Sequence, residues 1–137
     1  MRTVFADTHY WLALVNPRDQ WHKPAKQANL SLGPTLLVTT HEALSKFLTA
    51  LSGGGPDLRR VAAETVRKII HNPNCRVLAQ SRDSFLRALD RYAARADKTY
   101  SLNDCASMNG MDAEGIKEIL TNDHHFEQEG YVVLIKA

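Results

Sequence analysis

The chain has 137 residues, 44% hydrophobic and 23% charged, which is enough for one sizeable core and most economically a single domain spanning 1–137. Its 17 basic residues nearly balance 15 acidic ones, and a formal charge of +2 excludes a broadly basic nucleic-acid carrier; any role with a polyanion must rest on local charge. The apolar opening "MRTVFADTHYWLALVNPRDQ" is interrupted by Asp7 and His9 and is too short to span a bilayer, so a cytoplasmic protein is expected.

Short apolar runs alternate with longer helical ones, the pattern of a parallel sheet covered on both faces by helices. In chain order, "TVFA" (3–6) predicts a first strand and "THYWLALVN" a first helix that stops before Pro17. "QWHKPAKQANLSLG" predicts a second helix ending near Gly33 and Pro34, followed by the strand "LLVT" (36–39). A third helix runs from about Thr40 to the "SGGGP" breaker at 52–56, which separates helices rather than domains. The fourth, "PDLRRVAAETVRKIIH", places Leu58, Val61, Thr65 and Ile69 on one face and Arg60, Glu64 and Lys68 on another. After the strand "CRVLA" (75–79), a fifth helix from Ser81 spaces Phe85, Leu89, Tyr92 and Ala96 as core residues. A sixth helix follows Ser101, and "EILT" (118–121) and "YVVLI" (131–135) complete five strands. Cys75 and Cys105 have no C-x-x-C partner and are expected in the core rather than in a zinc site or disulfide.

Four acids share one kind of place: Asp7 after strand one, Glu42 after strand two, Asp104 at the start of helix six and Asp123 after strand four. In an open parallel sheet, sites form outside the carboxyl ends of the strands, where acids distant in sequence can meet. Each acid also has a local explanation. Asp7 and Asp123 can cap the segments that follow them, and "TTHE" (39–42) and "SLND" (101–104) fit a capping box. Four acids at one sheet edge would nevertheless repel unless a cation neutralised them, and oxygen ligands favour Mg²⁺ or Mn²⁺. Adjacent His124 and His125 point about 100° apart on a helical turn, so joint ligation of one ion is not expected, and surface or substrate contacts are.

"FADTHYWLALVNPRDQWH", "LVTTHEAL", "YSLNDCASM" and "LTNDHHFEQEGY" together resemble, over nearly the whole chain, PIN-domain proteins of the VapC kind, the toxin ribonucleases of toxin–antitoxin pairs. The resemblance implies a three-layer α/β/α fold with a central parallel five-stranded sheet and an acid-built Mg²⁺ or Mn²⁺ site that hydrolyses RNA. It also implies a homodimer and a small antitoxin partner. It assigns Asp7, Asp104 and Asp123 as metal ligands. The family's remaining acid, a glutamate within helix three, falls on Lys46 here; Glu42 lies one turn earlier on the same face, about 6 Å along the axis. Either Glu42 supplies that carboxylate, making Asp7, Glu42, Asp104 and Asp123 the catalytic set, or Lys46 leaves a degenerate PIN domain that binds RNA or an antitoxin without cleaving.

Arg59, Arg60, Arg67 and Lys68 are candidates for a basic rim, against a solvated face with Arg60 paired to Glu64. Tyr10, Trp11 and Trp21 are candidates for base stacking, against core or dimer-interface roles. A receiver-like phosphoacceptor domain shares the alternation, but Asp7 stands alone after strand one and the third strand (75–79) is followed by Gln80 rather than by an acceptor.

Overall fold

The computed structural model describes residues 1–136. Five strands, β1 (Arg2–Ala6), β2 (Thr35–Thr40), β3 (Cys75–Leu78), β4 (Glu118–Leu120) and β5 (Val132–Val133), form one sheet in the order β3-β2-β1-β4-β5. Every pairing is parallel, with Phe5 opposite both Val38 and Ile119. Parallel pairing requires crossovers, and helices supply them. On one face lie α1 (Thr8–Val15), α2 (His22–Leu32), α3 (His41–Leu51) and α4 (Pro56–His71); on the other lie α5 (Arg82–Ala94), α6 (Leu102–Glu114) and the short α7 (His125–Gln128). Successive β1 residues serve opposite layers: Val4 packs with Tyr10, Trp11 and Phe47, and Phe5 with Met108, Ile119 and Phe126. This is the expected three-layer α/β/α arrangement. Among the described residues no helix is long and apolar enough to cross a membrane.

Local chemistry sets the boundaries. The Asp19 carboxylate accepts from the Trp21 backbone N–H, and this turn delays α2 to His22, two residues later than the sequence pattern suggests. Pro24 is tolerated because the first-turn N–H groups have no intrahelical acceptor. Gly33, at φ 67°, ends the helix in a backbone conformation that side chains disfavour.

Two expected faces are corrected. On α4 the inward residues are Ala62, Val66 and Ile69, and Val61 is exposed. On α5, Phe85, Leu89 and Tyr92 are exposed rather than core, and Ala96 lies beyond the helix end. The inward positions of α5 are instead Ala88 and Arg91. Arg91 donates to Asn109, Asp112, Glu129 and the Tyr131 hydroxyl, so α5 is held to α6 and to the turn after α7 by ionic contacts. Cys75 is half-buried and Cys105 buried, both free.

Candidate active site

Three buried threonine hydroxyls pin the strand ends where the acids emerge. Thr39 donates to the Ala6 carbonyl and Thr8 to the Ala43 carbonyl, fixing β1 and α1 against β2 and α3. Thr121, with no exposed surface, donates to Asp7 Oδ2 at 2.9 Å and accepts from the Asp123 backbone N–H at 3.2 Å. The parallel register explains the contact: Ala6 pairs with Leu120, so the residues one step beyond face each other.

Asp7 occupies the N-cap position of α1, yet its side chain makes no capping hydrogen bond. The buried carboxylate turns instead to Thr121 and to His9, whose Nδ1 lies 3.3 Å from Asp7 Oδ2. That hydrogen bond raises the His9 pKa above its ordinary value; partial burial opposes the shift, the Asp7 and Asp123 charges add to it, and Lys46 works against it. Lys46 is exposed on α3, but its charge is therefore felt at the Asp7–His9 pair.

Asp104 is the third residue of α6 and makes the expected capping box: it accepts from the Ser101 N–H while Ser101 accepts from its own N–H. The same Oδ2 that caps the helix also meets His125 Nδ1 at 3.3 Å. Asp123 caps the following turn through the His125 N–H at 2.9 Å, and its carboxylate lies 3.4 Å from His125 Nδ1. Ligand atoms of Asp104, Asp123 and His125 all fall within 4.8 Å of one another. Asp7 and Glu42 lie outside this group, with Asp7 joined to it through Thr121.

Glu42 does not form the "TTHE" box. Thr40 is the N-cap and accepts from the Ala43 N–H, which leaves Glu42 half-buried and lining cavities between α3, α5 and α6. Of the paired histidines, His124 is exposed and His125 bridges two acids while stacking edge-on against Tyr100. His125 and Thr121 are the residues that residue-by-residue reading passed over, although the T-x-D-x-H spacing from Thr121 carries both.

The remaining candidates take ordinary places. Tyr10 and Trp11 are core, and Trp21 packs against them, so none offers a free ring face at the acid edge. Arg60 pairs with Asp57 rather than Glu64, Glu64 pairs with Arg67, and Arg59 donates to the Ser52 carbonyl.

No protein-family model matches the chain. The 23S rRNA-specific endonuclease VapC20 of Mycobacterium tuberculosis is 28% identical over 129 residues, covering 94% of this chain and 95% of the relative. The crystal structure of that species' VapC20, a sarcin–ricin loop cleaving toxin, superposes with a TM-score of 0.83 at 26% identity, covering 94% of this chain and 96% of the other. In sequence and in fold the chain is similar to a VapC-type PIN-domain protein along nearly its whole length. Two more distant structures share its fold. FitAcB from Neisseria gonorrhoeae has a TM-score of 0.71 at 13% identity, over 97% and 96% of the two chains. A toxin–antitoxin complex from Klebsiella pneumoniae has a TM-score of 0.62 at 14% identity, over 88% and 87%.

The donor set of this VapC-like site suits a divalent ion. Octahedral coordination with oxygens at about 2.1 Å puts neighbouring ligand atoms roughly 3 Å apart and opposite ones roughly 4.2 Å apart. Asp104, Asp123 and His125, with ligand atoms within 4.8 Å of one another, are the residues that would hold such an ion. Two carboxylates suit hard cations, and the imidazole of His125 widens the choice toward the transition metals.

Proposed function

We propose that this VapC-like chain is a divalent-metal-dependent endoribonuclease, the toxin of a toxin–antitoxin pair. The observation that carries the reading is the chain of contacts at the carboxyl edge of the sheet, Asp7 to Thr121 to Asp123 to His125 to Asp104, on a fold that matches VapC20 along almost its entire length. A single domain over residues 1–137 carries the activity.

Asp7, Asp104 and Asp123 hold the ion, Mg²⁺ or Mn²⁺. Such an ion supplies positive charge to the scissile phosphodiester and lowers the pKa of the attacking water. The protein's own part is placement. Ser101 and α6 hold Asp104, Thr121 and His9 hold Asp7, and the turn before α7 holds Asp123. His125 bridges Asp104 and Asp123, with Nε2 3.1 Å from the Thr99 hydroxyl, so its ring is oriented from both sides. Glu42, at the start of α3, is the remaining acid for orienting water or a second ion. No serine or cysteine is required as a nucleophile.

Ribosomal RNA is the first substrate to test, since VapC20 is a 23S rRNA-specific endonuclease. A small antitoxin is the expected inhibitor, a homodimer the expected assembly and the cytoplasm the expected compartment. Asp104→Asn tests the centre. The amide can still accept from Ser101, so the helix cap costs at most about 1 kcal/mol, while one ligand charge is lost. RNA cleavage that requires Mg²⁺ or Mn²⁺ should disappear from a folded protein; cleavage persisting at the wild-type rate would refute the assignment.

A further inference from the structure

Asn103 immediately precedes Asp104 on α6, and both polar atoms of its side-chain amide are shielded from solvent without a hydrogen-bond partner among the described residues. A buried amide donor and acceptor both left unmade are costly, and native proteins rarely tolerate them without a reason. Asn103 lines a cavity of about 210 Å³ between α5 and α6, together with Glu42, Gln80, Phe85, Ala88, Leu102 and Ala106. Phe85 stands at this cavity with 42% of its surface exposed, one turn before the buried Ala88. Glu42 and Ala106 also line a second cavity of about 270 Å³ toward the end of β3. An aromatic face, an aliphatic wall and a residue with an unsatisfied donor–acceptor pair therefore line one cavity, and that residue directly precedes a proposed metal ligand in the chain.

The chemistry that fits is a planar heteroaromatic ring with hydrogen-bonding groups along one edge. Single-stranded RNA is read in this way, by stacking an unpaired base on an aromatic side chain and bonding its edge. An asparagine amide offers an acceptor beside a donor and can meet a base edge with two bonds. We propose that the α5–α6 cavity is a nucleobase subsite, in which Phe85 provides the stacking face and Asn103 reads the base edge, holding a nucleotide next to the scissile phosphate. The subsite rests on the ribonuclease reading above for its substrate class, but its occupancy does not depend on cleavage. Neither residue holds metal. Glu42 disfavours a phosphate inside the cavity, which leaves the backbone outside and turns the base inward.

Binding is measured by fluorescence anisotropy in EDTA with short oligonucleotides of rA, rC and rU and with an abasic oligonucleotide of the same length, so that no cleavage step enters. Wild-type protein should bind at least one base-bearing oligonucleotide about ten-fold or more tightly than the abasic one. Phe85→Ala should abolish that difference. Asn103→Leu, which replaces the unsatisfied amide with apolar atoms and so keeps the helix packed, should change which oligonucleotide is preferred. Both variants should retain wild-type Mn²⁺ affinity. Equal binding of abasic and base-bearing RNA by the wild type, or unchanged affinities in both variants, would overturn the proposal. So would light scattering in which Phe85→Ala merely converts a dimer to monomers while RNA affinity stays constant. Should Asp104→Asn still cleave RNA, the metal-site reading would fail while these binding comparisons remained decisive for the cavity.

Discussion

Thr121→Val removes one hydroxyl from the centre of the site and changes little else. The residue is fully buried, and valine occupies nearly the same volume, so neither a cavity nor new solvent access follows. Two interactions are lost: the 2.9 Å hydrogen bond to the buried Asp7 carboxylate and the 3.2 Å bond from the half-buried Asp123 N–H. A hydrogen bond to a charged group contributes about 1.5–3 kcal/mol, and a backbone N–H left with poorer solvation adds to this, so destabilisation of about 2–4 kcal/mol is expected. Asp7 keeps only His9 to orient it. Loss of a hydrogen bond that aims a metal ligand typically weakens metal affinity or activity about 10–100-fold. Urea denaturation in EDTA reads the first effect; Mn²⁺ titration calorimetry and RNA cleavage read the second. Thr121→Ser restores the hydroxyl and should recover metal affinity, although it loses a buried methyl group. A valine variant with unchanged Mn²⁺ affinity and cleavage would refute the argument that Thr121 couples Asp7 to the rest of the site.

Lys46→Glu should tighten Mn²⁺ binding and accelerate RNA cleavage, whereas Glu42→Gln should lower both if Glu42 supplies the fourth carboxylate; titration and cleavage assays on the three proteins decide between them. Acid should loosen the turn that carries His125. Burial pushes the Glu129 carboxyl up, but hydrogen bonds from Arg91, Tyr100 and Arg95 outweigh it and hold the pKa below the ordinary value. For Asp112 burial is likewise outweighed, there by Tyr131 and Arg91. Both groups therefore stabilise the fold above the ordinary carboxylate range, near pH 4, and that contribution is lost progressively as pH falls through and below it. Denaturation between pH 7 and pH 2 should show the loss, and Glu129→Gln should be less stable at pH 7 with a shallower acid slope; an unaltered slope would refute the assignment.

The layered fold was legible because each strand is a short apolar run and each helix has a chemical start or stop, such as Ser81, Pro56 or Gly33. Period alone misjudged α5. Phe85, Leu89 and Tyr92 have the spacing of a core face, but Arg91 finds Asp112, Glu129 and Tyr131 in space, and these partners come from segments far along the chain. A helix anchored through an ion network can leave apolar side chains outside, and no local pattern announces it. The acids were visible at the strand ends because parallel topology dictates where strand ends gather. Their individual duties were less legible. Asp104 is both cap and acid, a distinction that motif matching treats as exclusive, while Asp7 sits in a cap position without capping. His125 looked peripheral beside His124 because adjacency says only that two side chains diverge, not which one turns inward.

Helix α3 is where fold and chemistry pull apart. Glu42 and Lys46 are one turn apart, yet Glu42 looks toward the α5–α6 cavities while the charge of Lys46 reaches His9. A lysine so placed acts on a divalent ion through space. At about 8 Å and the dielectric of water, the repulsion is roughly 1 kcal/mol, and replacing the lysine by glutamate reverses its sign, a swing of roughly 2 kcal/mol or thirty-fold in affinity. This weak limit is too small to empty the proposed site of Asp7, Asp104 and Asp123, and large enough to measure. A poorly shielded lysine nearer the ion would cost several times more, and the natural protein would then bind metal only at concentrations far above those that saturate Lys46→Glu. The size of the change, rather than its direction, therefore separates an attenuated nuclease from a PIN domain that keeps the fold and has lost the reaction.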